Sequence, residues 1–200
     1  MMLRTTLLVT ATVLVAACSS APPAPEWQLN AKGSAERAAE AWLVGDARIE
    51  AAEFARTRRE LSSTGRVDLL ARAELLRCAT RVASLVFEPC AGFDALAPDA
   101  APAEQAYARY LMGTAQPADA ALLPEAHRGL VGGNAAPDAA VAAIKDPLSQ
   151  LVAAGVLLRS GRATPGVLSM AVDTASARGW RRPLLAWLMV QRQRAQAAGA

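Results

Sequence analysis

Residues 67–85 read VDLLARAELLRCATRVASL, and Val67, Ala71, Leu75, Cys78, Val82 and Leu85 recur there at spacings of three and four. A period of 3.6 residues puts all six on one face of an α-helix. The helix is expected to stop before Pro89, because the proline ring disfavours helical backbone in the residue ahead of it. Toward the N-terminus, Ser34 reads as a helix cap followed by Ala38, Ala41 and Trp42, with Gly45 as the stop. Asp46 then caps a second helix with a stripe of Ala47, Ala51, Phe54, Ala55 and Leu61, broken by Ser62-Ser63-Thr64-Gly65.

Toward the C-terminus, prolines open a series of helices, since a missing N–H does no harm in a first turn. Short ones are expected over 102–112, 117–122 and 124–130, and longer ones over 137–145, 147–160, 165–178 and 182–195. Asp146-Pro147 and Thr164-Pro165 each join a good cap to a proline at the first helical position. No segment alternates with the period of two that a strand requires. The fold class is therefore all-α, either an irregular helical bundle or a short stack of helical hairpins.

Composition agrees. About a quarter of the 200 residues are Ala, 53% are hydrophobic and only 4% are aromatic, which favours helices packed through small side chains over a β-sandwich. A formal charge of +3 is too small to point to nucleic acid. One His and three Cys leave few ways to build a metal site or a catalytic triad, and neither a metal nor a cofactor is expected.

The first seventeen residues carry Arg4 and then an apolar stretch from Leu7 to Ala17, too short to span a bilayer and laid out as a secretory signal. Val15-Ala16-Ala17-Cys18 follows directly and resembles the lipobox of bacterial lipoproteins. The resemblance implies a diacylglyceryl thioether on Cys18, cleavage before it and acylation of the new N-terminus. Ser19, standing where Asp would retain the protein in the inner membrane, implies sorting to the outer membrane. Residues 1–17 are then a signal peptide, and 18–33 are the lipidated Cys with a Pro/Ser-rich tether. Residues 34–200 are a helical domain with a flexible joint near 132–136, around Gly132-Gly133-Asn134.

With Cys18 lipidated, Cys78 and Cys90 are left as a disulfide candidate in an oxidising space. A helix running on to Phe87 would carry the chain about 13.5 Å past Cys78, and three residues return only about 10 Å. Bridging needs Cα atoms roughly 4.4 to 6.8 Å apart. It therefore requires either a reversal at Glu88-Pro89 or a helix that ends a turn early; otherwise Cys78 is a small core residue.

Trp42-Leu43-Val44-Gly45-Asp46 with Phe54, and the span 146–179, weakly resemble the roughly 34-residue tetratricopeptide repeat. That resemblance implies stacked hairpins with concave surfaces. Ala51 and Phe54 are three apart where that repeat has four.

No zincin helix, P-loop, nucleophile elbow or dinucleotide-binding glycine pattern occurs. His127 stands alone in Pro124-Glu125-Ala126-His127-Arg128 and reads as a helix residue, and Glu125 does not share its face. Trp180 and Trp187, seven apart, mark an apolar helix face that serves either the core or a partner. Arg178, Arg181, Arg182, Arg192 and Arg194 follow Asp173 with no acid among them, a surface for phospholipid, lipopolysaccharide phosphates or an acidic partner, or else a solvated helix face. Partner-binding candidates are thus Trp180, Trp187, Arg178, Arg181 and Arg182.

The expected function is a non-catalytic, outer-membrane lipoprotein that binds an envelope protein and meets the membrane through its N-terminal lipid. In anchor and helicity it looks like the pilotin lipoproteins. The alternatives are a cell-wall-modifying hydrolase with dispersed carboxylates and a passive structural lipoprotein.

Overall fold

The computed structural model describes residues 23–132 and 136–199. The expected signal and lipobox, with Cys18, and Gly133 to Ala135 of the expected joint lie outside them. The chain is all-α, with no strand among the described residues. Its helices are α1 (Glu26–Val44), α2 (Ala47–Ser62), α3 (Val67–Ala83), α4 (Ala91–Asp94), α5 (Pro102–Met112), α6 (Glu125–Arg128), α7 (Pro137–Ala143), α8 (Pro147–Arg159), α9 (Pro165–Ala177) and α10 (Arg181–Ala197), with 3-10 turns at Ala97–Asp99 and Pro117–Leu122.

Helix α3 is the hub, touching α1, α2, α4, α5 and α8, while α10 returns to pack on both α9 and α1. A solenoid has contacts only between neighbouring repeats. The α3–α8 and α1–α10 contacts join distant parts of the sequence, so the arrangement is the irregular bundle.

Helix α8 is buried without interruption from Leu151 to Leu157. Its Gly155 meets α3 so closely that a Cβ there would strike the Val82 carbonyl. Asp146 and Thr164 cap α8 and α9 through bonds from the backbone N–H groups of Ser149 (2.7 Å) and Val167 (3.1 Å).

Two elements depart from the sequence reading. Helix α1 starts at Glu26, directly after Pro25, so residues 26–33 of the expected tether are helical. Ser34 is a fully buried interior residue, not the cap. Packing explains the difference: Trp27 and Ala31 join Ala38, Phe54, Leu61 and Ala73 in a small second core, and this burial outweighs the cost of about 1 kcal/mol for Gly33 in a helix.

Helix α2 buries Glu50, Phe54, Thr57 and Leu61, whereas Ala47, Ala51 and Ala55 of the expected stripe face water. Glu50 is drawn inward by Arg77, whose Nε lies 2.7 Å from Oε1, and by Arg81 at 3.3 Å. Burial would raise its carboxyl, but the two guanidiniums outweigh that and hold it below its ordinary value.

Candidate functional site

Cys78 and Cys90 come to bonding distance, with Cα atoms 5.9 Å apart. Of the two routes foreseen, an early helix stop is the one taken. Helix α3 ends at Ala83, and Leu85 adopts φ 59°, the only non-glycine residue with positive φ among those described. The amide of Val86 then bonds back to the Arg81 carbonyl at 2.9 Å, as a left-handed helix terminus does. The reversed chain encloses, with α5 and α8, a cleft of about 680 Å³ beside the cysteine pair. Phe87, Phe93 and Met112 supply apolar wall; Arg81, Arg109 and Arg159 supply positive charge. Arg109 is already committed to Asp119 through Nε to Oδ2 at 3.0 Å and Nη2 to Oδ1, which holds the Asp119 carboxyl down at about 2. The carboxylates of the cleft, Glu88 and Asp94, are both exposed.

His127 is buried, with Nδ1 3.0 Å from the Tyr110 hydroxyl and its ring tilted against Tyr110 and Tyr107. Desolvation pushes it down to about 4, so it is neutral at physiological pH. No group of three or more His, Cys, Asp or Glu that could hold a metal occurs among the described residues.

The C-terminal helix sorts its own candidates. Trp187 is fully buried and its Nε1 donates to the Ala83 carbonyl at 3.1 Å; Trp180 is 4% exposed and donates to Glu40 Oε2 at 2.9 Å. Both indoles belong to the core and neither can meet a partner, which corrects the sequence reading. Arg182 is half-buried, donating to the Trp42 carbonyl at 2.8 Å with its guanidinium 3.9 Å from the Trp42 ring; Arg81 lies 4.2 Å from the same ring. Its role is to tie α10 to α1. Arg181 donates to the Val44 carbonyl at 3.0 Å yet stays exposed, as does Arg178.

What α10 turns outward is Leu185 (63% exposed), Leu188 (44%) and Met189 (52%). With Arg181 and Arg192, the positions 181, 185, 188 and 192 step by four, three and four, which makes one face. A groove of about 380 Å³ runs beside it, lined by Leu85, Ala186, Met189, Val190 and Arg192 among others. In the sequence Leu188 reads as part of the Trp180 and Trp187 face, and Leu185 and Met189 carry no expectation; all three stand on the side of α10 opposite the buried indoles. The helical wheel alone held the signal: α10 is apolar on two sides.

No protein-family model matches the chain, and no curated protein or solved structure matches it.

Proposed function

We propose that this chain is a periplasm-facing outer-membrane lipoprotein, anchored through Cys18, that acts without catalysis as a binding or assembly module for another envelope protein. The outer face of α10 is its docking surface. The observation that carries the reading is the exposed row of Leu185, Leu188 and Met189 with a groove alongside. A contiguous apolar surface rimmed by charge is costly to leave in water and is typical of an interaction site. The charge on this face is positive: Arg181 and Arg192 stand on it, both exposed, and residues 174–200 carry no side-chain carboxylate. The partner that fits is therefore an amphipathic protein segment presenting apolar side chains and acidic ones.

The likeness to pilotin lipoproteins rests on anchor and helicity alone. For the hydrolase alternative, retaining or inverting chemistry needs two carboxylates about 5 to 9.5 Å apart with one desolvated. The exposure of both Glu88 and Asp94 favours the binding reading over it.

The test crosslinks cells expressing the full chain as wild type, as Cys18→Ser and as Leu185→Asp/Leu188→Asp. The reading expects Cys18→Ser to shift the protein, folded, from the membrane to the soluble fraction. It expects the double variant to stay in the membrane and lose its principal crosslinked protein. Membrane retention of Cys18→Ser would overturn the anchor, and unchanged crosslinks from the double variant would overturn the surface.

A further inference from the structure

A second pocket, between α3, α5 and the segment Leu122 to Pro124, has in its wall Glu104, one of whose carboxylate oxygens is buried without a hydrogen-bond partner among the described residues. The pocket measures about 400 Å³, within the range of small-molecule sites. Leu75, Leu76, Leu122, Leu123, Pro124 and Tyr107 form its apolar wall, and Arg72 and Glu104 are its charged members. The Glu104 side chain is only 4% exposed. One oxygen, Oε1, accepts from Arg72 Nε, whose own side chain is largely in water. The other, Oε2, is buried with no hydrogen-bond partner, the sole such side-chain atom found among the described residues. A buried carboxylate oxygen without a donor is a standing penalty, and buried polar groups in folded proteins are almost always paired.

We propose that this pocket binds a small, mainly apolar molecule carrying one N–H or O–H donor, which Glu104 Oε2 accepts while the leucines and Tyr107 enclose the apolar body. Arg72 already balances the charge of Glu104, so the ligand needs a donor and not a net positive charge. Bulk is limited to what a 400 Å³ space admits, roughly two or three fused or linked rings or a short branched chain. This site is separate from the α10 surface, and its occupancy does not depend on the anchor.

The experiment uses the full chain carrying Cys18→Ser, so that no acyl chain competes for an apolar probe. The probe is N-phenyl-1-naphthylamine, whose fluorescence rises in apolar surroundings and which has a single N–H. Its competitor is 1-benzylnaphthalene, which has the same outline with a methylene in place of the N–H. The proposal expects saturable binding of the amine and a preference for it over the hydrocarbon of about tenfold. In Glu104→Gln the amide oxygen is engaged by Arg72 and its NH₂ faces the ligand, so that preference is expected to vanish. Ala103→Trp, which fills the wall, is expected to abolish binding of both molecules; Leu122→Trp at the rim does the same if the first variant fails to fold. Absence of binding, equal affinity for the two molecules, an undiminished preference in Glu104→Gln, or binding untouched by a filling variant that folds would each overturn the proposal.

Discussion

The indole Nε1 of Trp187, at the middle of α10, donates to the carbonyl of Ala83, the last residue of α3. A helix leaves its final carbonyls without partners inside the helix. Here one of them is satisfied by a side chain 104 residues further along the chain. The same bond pins the C-terminal helix at the point where α3 gives way to the reversed segment that brings Cys90 to Cys78, so the proposed docking face of α10 and the disulfide cleft share one structural joint.

Trp187→Phe keeps most of the ring volume and leaves that carbonyl unpaired, for an expected loss of about 1–3 kcal/mol. Trp187→Ala adds a large cavity at a fully buried site and should cost about 3–5 kcal/mol. Urea unfolding measures both, and equal midpoints for wild type and the Phe variant would remove the hydrogen bond from the account.

Gly155 and Gly129 give a paired prediction. A methyl at Gly155 meets the Val82 backbone across the α3–α8 contact, so Gly155→Ala should destabilise by about 1–3 kcal/mol. Gly129 has nothing within 4 Å of its would-be Cβ and adopts φ −66°, so Gly129→Ala should be neutral or stabilising by about 0.5 kcal/mol. Thermal melts of the two variants side by side decide it.

The elements that were legible in the sequence are those with a strong local signal. Ala71, Leu75 and Val82 of the expected α3 stripe are buried, and the Asp146-Pro147 and Thr164-Pro165 starts and the glycine stop at Gly45 stand where residue chemistry puts them, whereas Val67 is exposed and Leu85 falls beyond the helix end. What was not legible depends on neighbours. Counting apolar residues turned α2 toward its alanines, because only the approach of Arg77 and Arg81 makes Glu50 an inward-facing residue. Helix α1 runs through Gly33 because Trp27 and Ala31 find Phe54 and Leu61 to pack on. The exposed row Leu185, Leu188 and Met189 is distinguished from the core row only by which side of α10 meets α1 and α9. Glu104 has no sequence signature at all, since its unpaired oxygen is a property of the folded pocket.

The cysteine pair closes a short loop of sequence separation 12. Cross-linking such a loop restricts the unfolded chain by about 3 kcal/mol. Cys78→Ser/Cys90→Ser should lower stability by about 2–3 kcal/mol and loosen the segment that walls the 680 Å³ cleft. Iodoacetamide should label Cys78 and Cys90 of the protein isolated from cells only after reduction; ready labelling before reduction would contradict the bridge.

His127 predicts a pH effect with a definite sign. Burial lowers it from 6.5 to about 4, so between those values the unfolded chain binds more protons than the native one. Stability should then fall as pH is lowered from about 6.5 to 4, by about 3 kcal/mol, and level off below. Glu74 opposes this at the acidic end, because desolvation raises its carboxyl despite Arg58. The diagnostic quantity is therefore the difference between wild type and His127→Phe, measured by urea unfolding at pH 4.5 and 7. Wild type should lose more stability than the variant across that interval; parallel losses would mean that His127 titrates normally.

The most direct measurement places a photo-crosslinking amino acid at position 188 in intact cells, with position 49 as the control on α2. Ile49 is as exposed as Leu188, at 45% against 44%, but is not part of the α10 face. The account predicts one dominant envelope-protein adduct from position 188 and none from position 49. No protein adduct at 188, adducts to lipid alone, or the same adduct from both positions would contradict it.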